Sequence, residues 1–203
     1  MERIVAATHN PGKLREMRRI LAPLPVEVVG LDGWPDAPVP EEDGGSYLEN
    51  ARIKARAALE VTGLTCFADD SGLEVDALGG APGISSARFD GRSGTPASRN
   101  RKLLALLEGA PMERRTARFR AVVVLLEPDG AGDHEEHVFE GVLEGLIALE
   151  PEGEGGFGYD PVFLVPGEGC TVASLPGARK DRLSHRGRAL AAMIAHLGER
   201  HGR

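Results

Sequence analysis

Residues 116–149, TARFRAVVVLLEPDGAGDHEEHVFEGVLEGLIAL, carry the longest β pattern in the chain: two extended apolar segments about the turn Pro128-Asp129-Gly130. A hairpin of strands this long forms the spine on which the remaining elements must pack. Residues 3–7 read as a short strand, and beyond the polar turn at 8–13 the side chains Leu14, Met17, Ile20 and Leu21 recur at helical spacing. Residues 26–31 read as a strand and residues 32–45 as an acidic loop. Ser46 then caps a helix reaching about Thr62, with Glu49 in the capping-box position. A strand at 65–68 is expected to end at Asp69 and Asp70, residues 79–83 to be loop, and residues 96–108 to be helix. A glycine-dense loop within 153–165 leads into a strand, and a last helix starts at Ser184. This interleaving, without an internal repeat or a dividing linker, predicts an α/β or α+β fold on a mixed sheet, one domain over 1–203.

Composition narrows the function. At 203 residues and 41% hydrophobic, the chain suits one well-packed domain, or one domain with two lobes. A net charge of -7 argues against a nucleic-acid partner, whose affinity comes from neutralised phosphates, but allows a small anion in a locally basic cleft. No apolar run reaches the roughly 18 residues of a membrane span, and two cysteines, Cys66 and Cys170, make neither a disulfide framework nor a CxxC zinc site. The expectation is a cytoplasmic chain with reduced thiols and no membrane partner. Only four of the 24 basic residues are Lys, Gln is absent, and Asn occurs only at 10, 50 and 100. Heat adaptation or a GC-rich genome gives this bias equally simply. In either case each retained Lys or Asn calls for a local reason.

Asp69 and Asp70 pose the chemical question. Neighbouring carboxylates repel, and burying them requires a counter-ion such as a metal, a Lys or an Arg. In the turn Thr8-His9-Asn10-Pro11-Gly12-Lys13, Asn10 as N-cap and Pro11 at the first helical position are expected to leave backbone N–H groups free beside a Lys, an anion site. Carboxylates for Mg²⁺ beside lysines for phosphate oxygens are the parts needed for displacement at phosphorus. Plainer readings stand beside these. The two aspartates serve equally as a helix cap and a solvated neighbour, and His185 as a solvated residue after a cap. Residues 79–83 are a structural turn, since no GxxxxGK[ST] pattern is present. Phe157, flanked by glycines, suits a stacking platform better than a core anchor. His134, His137, His196 and His201 read as surface residues.

Four blocks, THNPGK, ADDSGLEVDALGGAPGISSARF, GGFGYDPVF and SHRGRAL, occur in this order, and across residues 4 to 194 the chain resembles the inosine triphosphate pyrophosphatase family, the Ham1-like non-canonical purine nucleoside triphosphate pyrophosphatases. The resemblance implies a mixed long-stranded sheet with flanking helices, two lobes around a central cleft, and a homodimer. It implies Mg²⁺-dependent hydrolysis of ITP, dITP and XTP to the monophosphate and pyrophosphate. Carried over residue by residue, Thr8, His9, Asn10, Pro11, Gly12 and Lys13 match the phosphate-binding turn, and Lys54 in ENARIKA matches a second phosphate-facing base. Asp70 matches the general base and a metal carboxylate, Glu42 the other metal carboxylate with Glu41 beside it as the alternative, and Ser71 a substrate contact. Asp69 is expected to act as a metal ligand or as support for one. Phe157, Gly158, Tyr159, Asp160, Lys180, His185 and Arg186 match residues around the nucleoside, with Arg186 expected to read the 6-oxo group. His9 stands where Gly is common and Ser85 where an aromatic is usual. A non-catalytic nucleotide sensor and a Maf-like pyrophosphatase are the competing readings. Asp70, Glu42 and Lys13 together disfavour the first, and the SHRG and FGYDP blocks the second.

Overall fold

The computed structural model of the chain describes residues 2–91 and 93–201; the side chain of His201, expected at the surface, lies outside that description. Eight strands form one sheet: β1 (Glu2–Ala6), β2 (Val26–Val29), β3 (Cys66–Val75), β4 (Pro82–Gly83), β5 (Thr116–Pro128), β6 (His134–Ile147), β7 (Phe163–Val165) and β8 (Cys170–Thr171). Their order is β2-β1-β3-β5-β6-β7-β8, with β4 paired to β3. β1 runs parallel to both β2 and β3, whereas β7 is antiparallel to β6 and β8, so the sheet is mixed. The helices are α1 (Pro11–Leu21), α2 (Tyr47–Thr62), α3 (Pro96–Leu106), α4 (Gly177–Leu183) and α5 (His185–His201). None of them is long and apolar enough to cross a membrane.

The long hairpin is present as expected. Three expectations change. β3 continues through both aspartates to Val75 rather than stopping before them, because Leu73 and Glu74 find partners in Gly83 and Pro82. That pairing also makes Pro82 and Gly83 a short strand where loop was expected. The basic segment before Ser184 contains a helix, α4, whose seven residues are too few to show an apolar period.

The chain divides into two compact units, the first comprising residues 1–70, 121–141 and 185–203, the second residues 71–120 and 142–184. In the first unit the sheet is covered on both faces. Ala121, Val123 and Leu125 of β5 pack with Met17 and Leu21 of α1 and Ala189, Leu190 and Met193 of α5. Val124 and Leu126 pack with Ala51, Ala55 and Ala58 of α2. Two covered faces account for the unbroken apolar run AVVVLL, in which strict alternation would have been wrong. The second unit has its own core, in which Leu73, Leu103, Leu143, Ile147 and Val162 surround Phe119 and Phe163, whose rings lie 4.4 Å apart.

Helix ends follow local chemistry. Asn10 Oδ1 accepts from the N–H groups of Gly12 and Lys13, and Ser46 Oγ accepts from Glu49 N–H. The return arm of the expected capping box goes one residue further back, to Gly45 N–H at 2.6 Å. β6 crosses the start of α5 at Gly141, where an added Cβ would overlap the carbonyl oxygen of His185 and lie 2.8 Å from the amide nitrogen of Ala189. Overpacking against backbone of this kind costs about 1–3 kcal/mol. Gly141→Ala should therefore lower the denaturant midpoint correspondingly, while Gly167→Ala, with open space around its Cβ, should leave it unchanged.

Candidate active site

Successive side chains of a strand point to opposite faces of the sheet, and this parity separates the paired aspartates. Phe67 lies in the core with α1 and α5, and Ala68 in the core with α2. Asp69 follows the first and Asp70 the second, so each carboxylate meets a different helix and a different cation.

Asp69 is buried among charges. Arg186 of α5 donates to its Oδ2 at 2.9 Å, Lys13 Nζ lies 3.1 Å from its Oδ1, and the other end of Arg186 reaches Glu16 Oε2 at 2.6 Å. Burial alone would raise the Asp69 pKa, but Arg186, Lys13 and Lys54 outweigh it and hold the carboxyl well below the ordinary carboxylate range. Arg186 responds in kind: burial disfavours its charge, yet Asp69 and Glu16 raise its pKa. Lys13 differs, because burial lowers its pKa more than Asp69 raises it, with Arg186 and Lys54 adding to the lowering.

Asp70 is in the opposite condition. Its Oδ1 accepts from Lys54 Nζ at 2.9 Å and its Oδ2 from Asn50 Nδ2 at 3.3 Å. Burial raises its pKa above the ordinary value, Lys54 and Lys13 pull it back in part, and Glu42 raises it further. Lys54 also lies 3.5 Å from Glu42 Oε1. Glu41 is exposed, so Glu42 is the acidic-loop carboxylate beside Asp70. Asn50 and Lys54 meet Asp70 because residues four apart share a helix face. The other end of Asn50 accepts from Gly44 N–H at 2.9 Å and ties the acidic loop to α2. Asn50 and Glu16 were not among the expected site residues. The scarcity of Asn was the available signal for the first, whereas Glu16, one acid on a charged helix, gave none.

The turn before α1 is built otherwise than expected. Asn10 takes the amides of Gly12 and Lys13, its own N–H goes to Thr8 Oγ1 at 3.2 Å, and Pro11 has none. These backbone donors are engaged within the turn, His9 is exposed, and the Lys13 ammonium turns to Asp69.

Phe157, Gly158, Tyr159, Asp160 and Lys180 lie in the second unit. Asp160 Oδ2 accepts from Phe157 N–H at 2.8 Å and from Lys180 Nζ at 2.9 Å, and Lys180 Nζ stands 4.7 Å from the centroid of the Phe157 ring. Gly158 carbonyl accepts from Asn100 Nδ2 at 3.2 Å. Tyr159 is buried and donates to Ser86 carbonyl, which makes it a support of the turn. Ser71 is half-buried on β3, next after Asp70, and His185 is buried at the first position of α5. The Arg186 side chain is 2% exposed and held at both ends by Asp69 and Glu16, so it fixes Asp69.

The Ham1 family profile matches residues 4–196. The chain belongs to the Ham1 family. A relative from Geobacter sulfurreducens, a dITP/XTP pyrophosphatase, is 50% identical over 198 residues, 98% of each chain. One of the same name from Symbiobacterium thermophilum is 50% identical over 97% of this chain and 95% of its own. A solved HAM1 protein from Coxiella burnetii superposes with a TM-score of 0.87 at 43% identity, covering 98% of this chain and 100% of the other.

Removing Arg186 strands two buried carboxylates, a change that typically costs about 3–5 kcal/mol. In the wild-type protein the depressed Asp69 pKa contributes stability that is full above the unfolded value and lost as pH falls through the folded value. Without Arg186, Asp69 and Glu16 lose the cation that favours their ionised forms. Arg186→Ala should therefore lose stability at pH 7 and recover part of the deficit between pH 7 and 5, measured as denaturant midpoints against wild type.

Proposed function

We propose that this chain hydrolyses non-canonical purine nucleoside triphosphates (ITP, dITP and XTP) to the monophosphate and pyrophosphate. The observation that carries the reading is Asp70: a buried carboxyl with a raised pKa, held by Lys54 and Asn50 beside Glu42. The 50% identity to a dITP/XTP pyrophosphatase over 98% of both chains supplies the substrate class. We treat residues 1–203 as one catalytic domain, acting in the cytoplasm as a homodimer on free nucleotides, with neither a nucleic acid nor a membrane as partner.

Glu42 and Asp70 fit Mg²⁺. Both offer hard oxygen donors, and they already share one cation, the Lys54 ammonium, at 3.5 and 2.9 Å. Mg²⁺, when bound, neutralises charge on the triphosphate oxygens. The remaining work falls to side chains. Lys13 and Lys54 hold phosphate oxygens, and Asp70 accepts a proton from the water that attacks the α-phosphorus as the bond to the bridging oxygen breaks and pyrophosphate leaves. Asn50 keeps Asp70 oriented for that transfer. For the purine, Phe157 provides a face for stacking, which gives affinity without discrimination. Lys180, His185 and Arg186 are the candidate donors to the 6-oxo group that adenine lacks, and Ser71 remains a substrate contact.

The decisive experiment is pyrophosphate release over a panel of triphosphates, with Mg²⁺ present or chelated. Turnover should favour dITP, ITP and XTP over ATP and GTP and vanish in excess chelator. Asp70→Asn should lower kcat by about 10² to 10⁴ while nucleotide binding stays measurable; a variant with near-normal kcat would remove Asp70 from the role of base. Phe157→Ala should lower kcat/KM about 10-fold on ITP and ATP alike, the scale of one base–aromatic stack, whereas a loss confined to ITP would mean that Phe157 takes part in selection.

A further inference from the structure

Among the described residues, Glu127, His137 and His196 bring three ligand atoms within 4.8 Å of one another. They come from three elements of the first unit: the end of β5, the start of β6 and the last turns of α5. His137 and His196, expected at the surface, are half-buried, and Glu127 is buried. None of the three belongs to the constellation around Asp69 and Asp70. We propose that they form a second metal site, selective for zinc or a similar borderline divalent ion.

Four observations carry the proposal. First, Nε2 of both imidazoles lies near the same carboxylate oxygen: Glu127 Oε2 is 3.2 Å from His137 Nε2 and 3.4 Å from His196 Nε2. Those separations are long for a charge-assisted hydrogen bond, about 2.7–2.9 Å. They equal the edge of a tetrahedron around an ion with ligands at about 2.0–2.1 Å, which is about 3.3 Å. Second, His137 Nε2 is buried and makes no hydrogen bond in this arrangement, an uncommon state for a buried polar atom that a metal would resolve. Third, the two rings lie side by side with centroids 4.0 Å apart and planes inclined at 43°, and Phe139 closes on His196 at 5.7 Å, so the imidazoles are held by packing. Fourth, Glu135 Oε1 stands 3.3 Å from His137 Nε2 on an exposed, movable side chain and is placed to give a fourth ligand. Two nitrogens with carboxylate oxygen suit Zn²⁺, whereas Mg²⁺ and Ca²⁺ prefer all-oxygen sets.

An ion here joins the hairpin of β5 and β6 to the C-terminal helix. It acts on the first unit's packing and takes no part in hydrolysis. The test uses the full chain stripped of metals by chelator and kept in saturating Mg²⁺, which covers the oxygen-rich site. Calorimetric titration with Zn²⁺ should show one tight equivalent, Co²⁺ should give the intense visible bands of tetrahedral coordination, and the Hε1 resonances of His137 and His196 should shift on titration. Free Zn²⁺ a hundredfold above its Kd should raise Tm by about 5 °C or more. Changes next to zinc ligands already cost 10- to 100-fold in affinity, so His137→Gln/His196→Gln should weaken binding by more than about 100-fold and abolish the Co²⁺ bands, with pyrophosphate release in Mg²⁺ unchanged. Absence of a Zn²⁺ equivalent in wild type, unmoved histidine resonances, or equal binding by the double variant would each overturn the proposal. Should the double variant fail to fold, His196→Gln alone and the wild-type resonances still decide it.

Discussion

Four charges, three of them buried, fix how elements of the first unit meet. Arg186 spans Glu16 and Asp69, and Lys13 closes on the other oxygen of Asp69, so that two acids and two bases balance. Such a cluster is a poor source of net stability, because desolvating four ions costs about as much as their attraction returns. What it supplies is position. Its members come from α1, β3 and α5, the last separated from the other two by more than a hundred residues of sequence, and losing any one of the four leaves an unbalanced charge. Hydrophobic packing of the kind found beneath Met17, Phe67 and Met193 tolerates small slides; an ion cluster with hydrogen bonds of 2.6 and 2.9 Å does not.

Strand parity turns that fixity into chemistry. With Asp69 locked on one face of β3, Asp70 must project from the other, toward Asn50 and Lys54 of α2. A one-residue slip of register would exchange the two carboxylates and leave each before the wrong helix. The adjacency that looked like a liability in the sequence is therefore the device itself: repulsion between neighbours is relieved by sending them to opposite faces with separate cations. Asn50 extends the arrangement, since one end holds Asp70 and the other holds Gly44 at the end of the loop that carries Glu42.

The legible part of the chain was what local rules govern. The hairpin, the caps at Asn10 and Ser46, the helices α1, α2, α3 and α5, and the need of the aspartates for basic partners all follow from period, turn chemistry and charge. The bias against Lys and Asn was informative as well. Each of the three Asn residues makes a specific contact: Asn10 caps α1, Asn50 clamps Asp70, and Asn100 holds the Gly158 carbonyl. All four Lys residues likewise meet a carboxylate or a carbonyl. What escaped depends on tertiary partners. β3 ran past its expected end because β4 pairs with it, Tyr159 and Arg186 turned inward because Ser86, Asp69 and Glu16 take their donors, and the histidines near the hairpin met one another only through the approach of α5 to β6.

Two aspartates adjacent in sequence thus end with opposite proton affinities, which fits the division of tasks proposed for them. A carboxyl beside Arg186 and Lys13, its pKa held below the ordinary range, is suited to holding charge and shape. A carboxyl with one ammonium, one amide and a neighbouring acid, its pKa raised by burial, is closer to the range in which a proton can be taken up and released. Where neighbouring titratable groups are pushed apart in this way, the one with the raised pKa is the one available for acid–base work. Lys13 then joins the two halves. It completes the pairing of Asp69, yet with its own pKa lowered by burial it binds its proton less firmly than Lys54, whose pKa Asp70, Asp69 and Glu42 raise. Of the two lysines, Lys54 is therefore the cation fixed beside Asp70, while under the function proposed above an arriving phosphate, by adding negative charge, would strengthen the proton on Lys13 and bind in return where that charge is most needed.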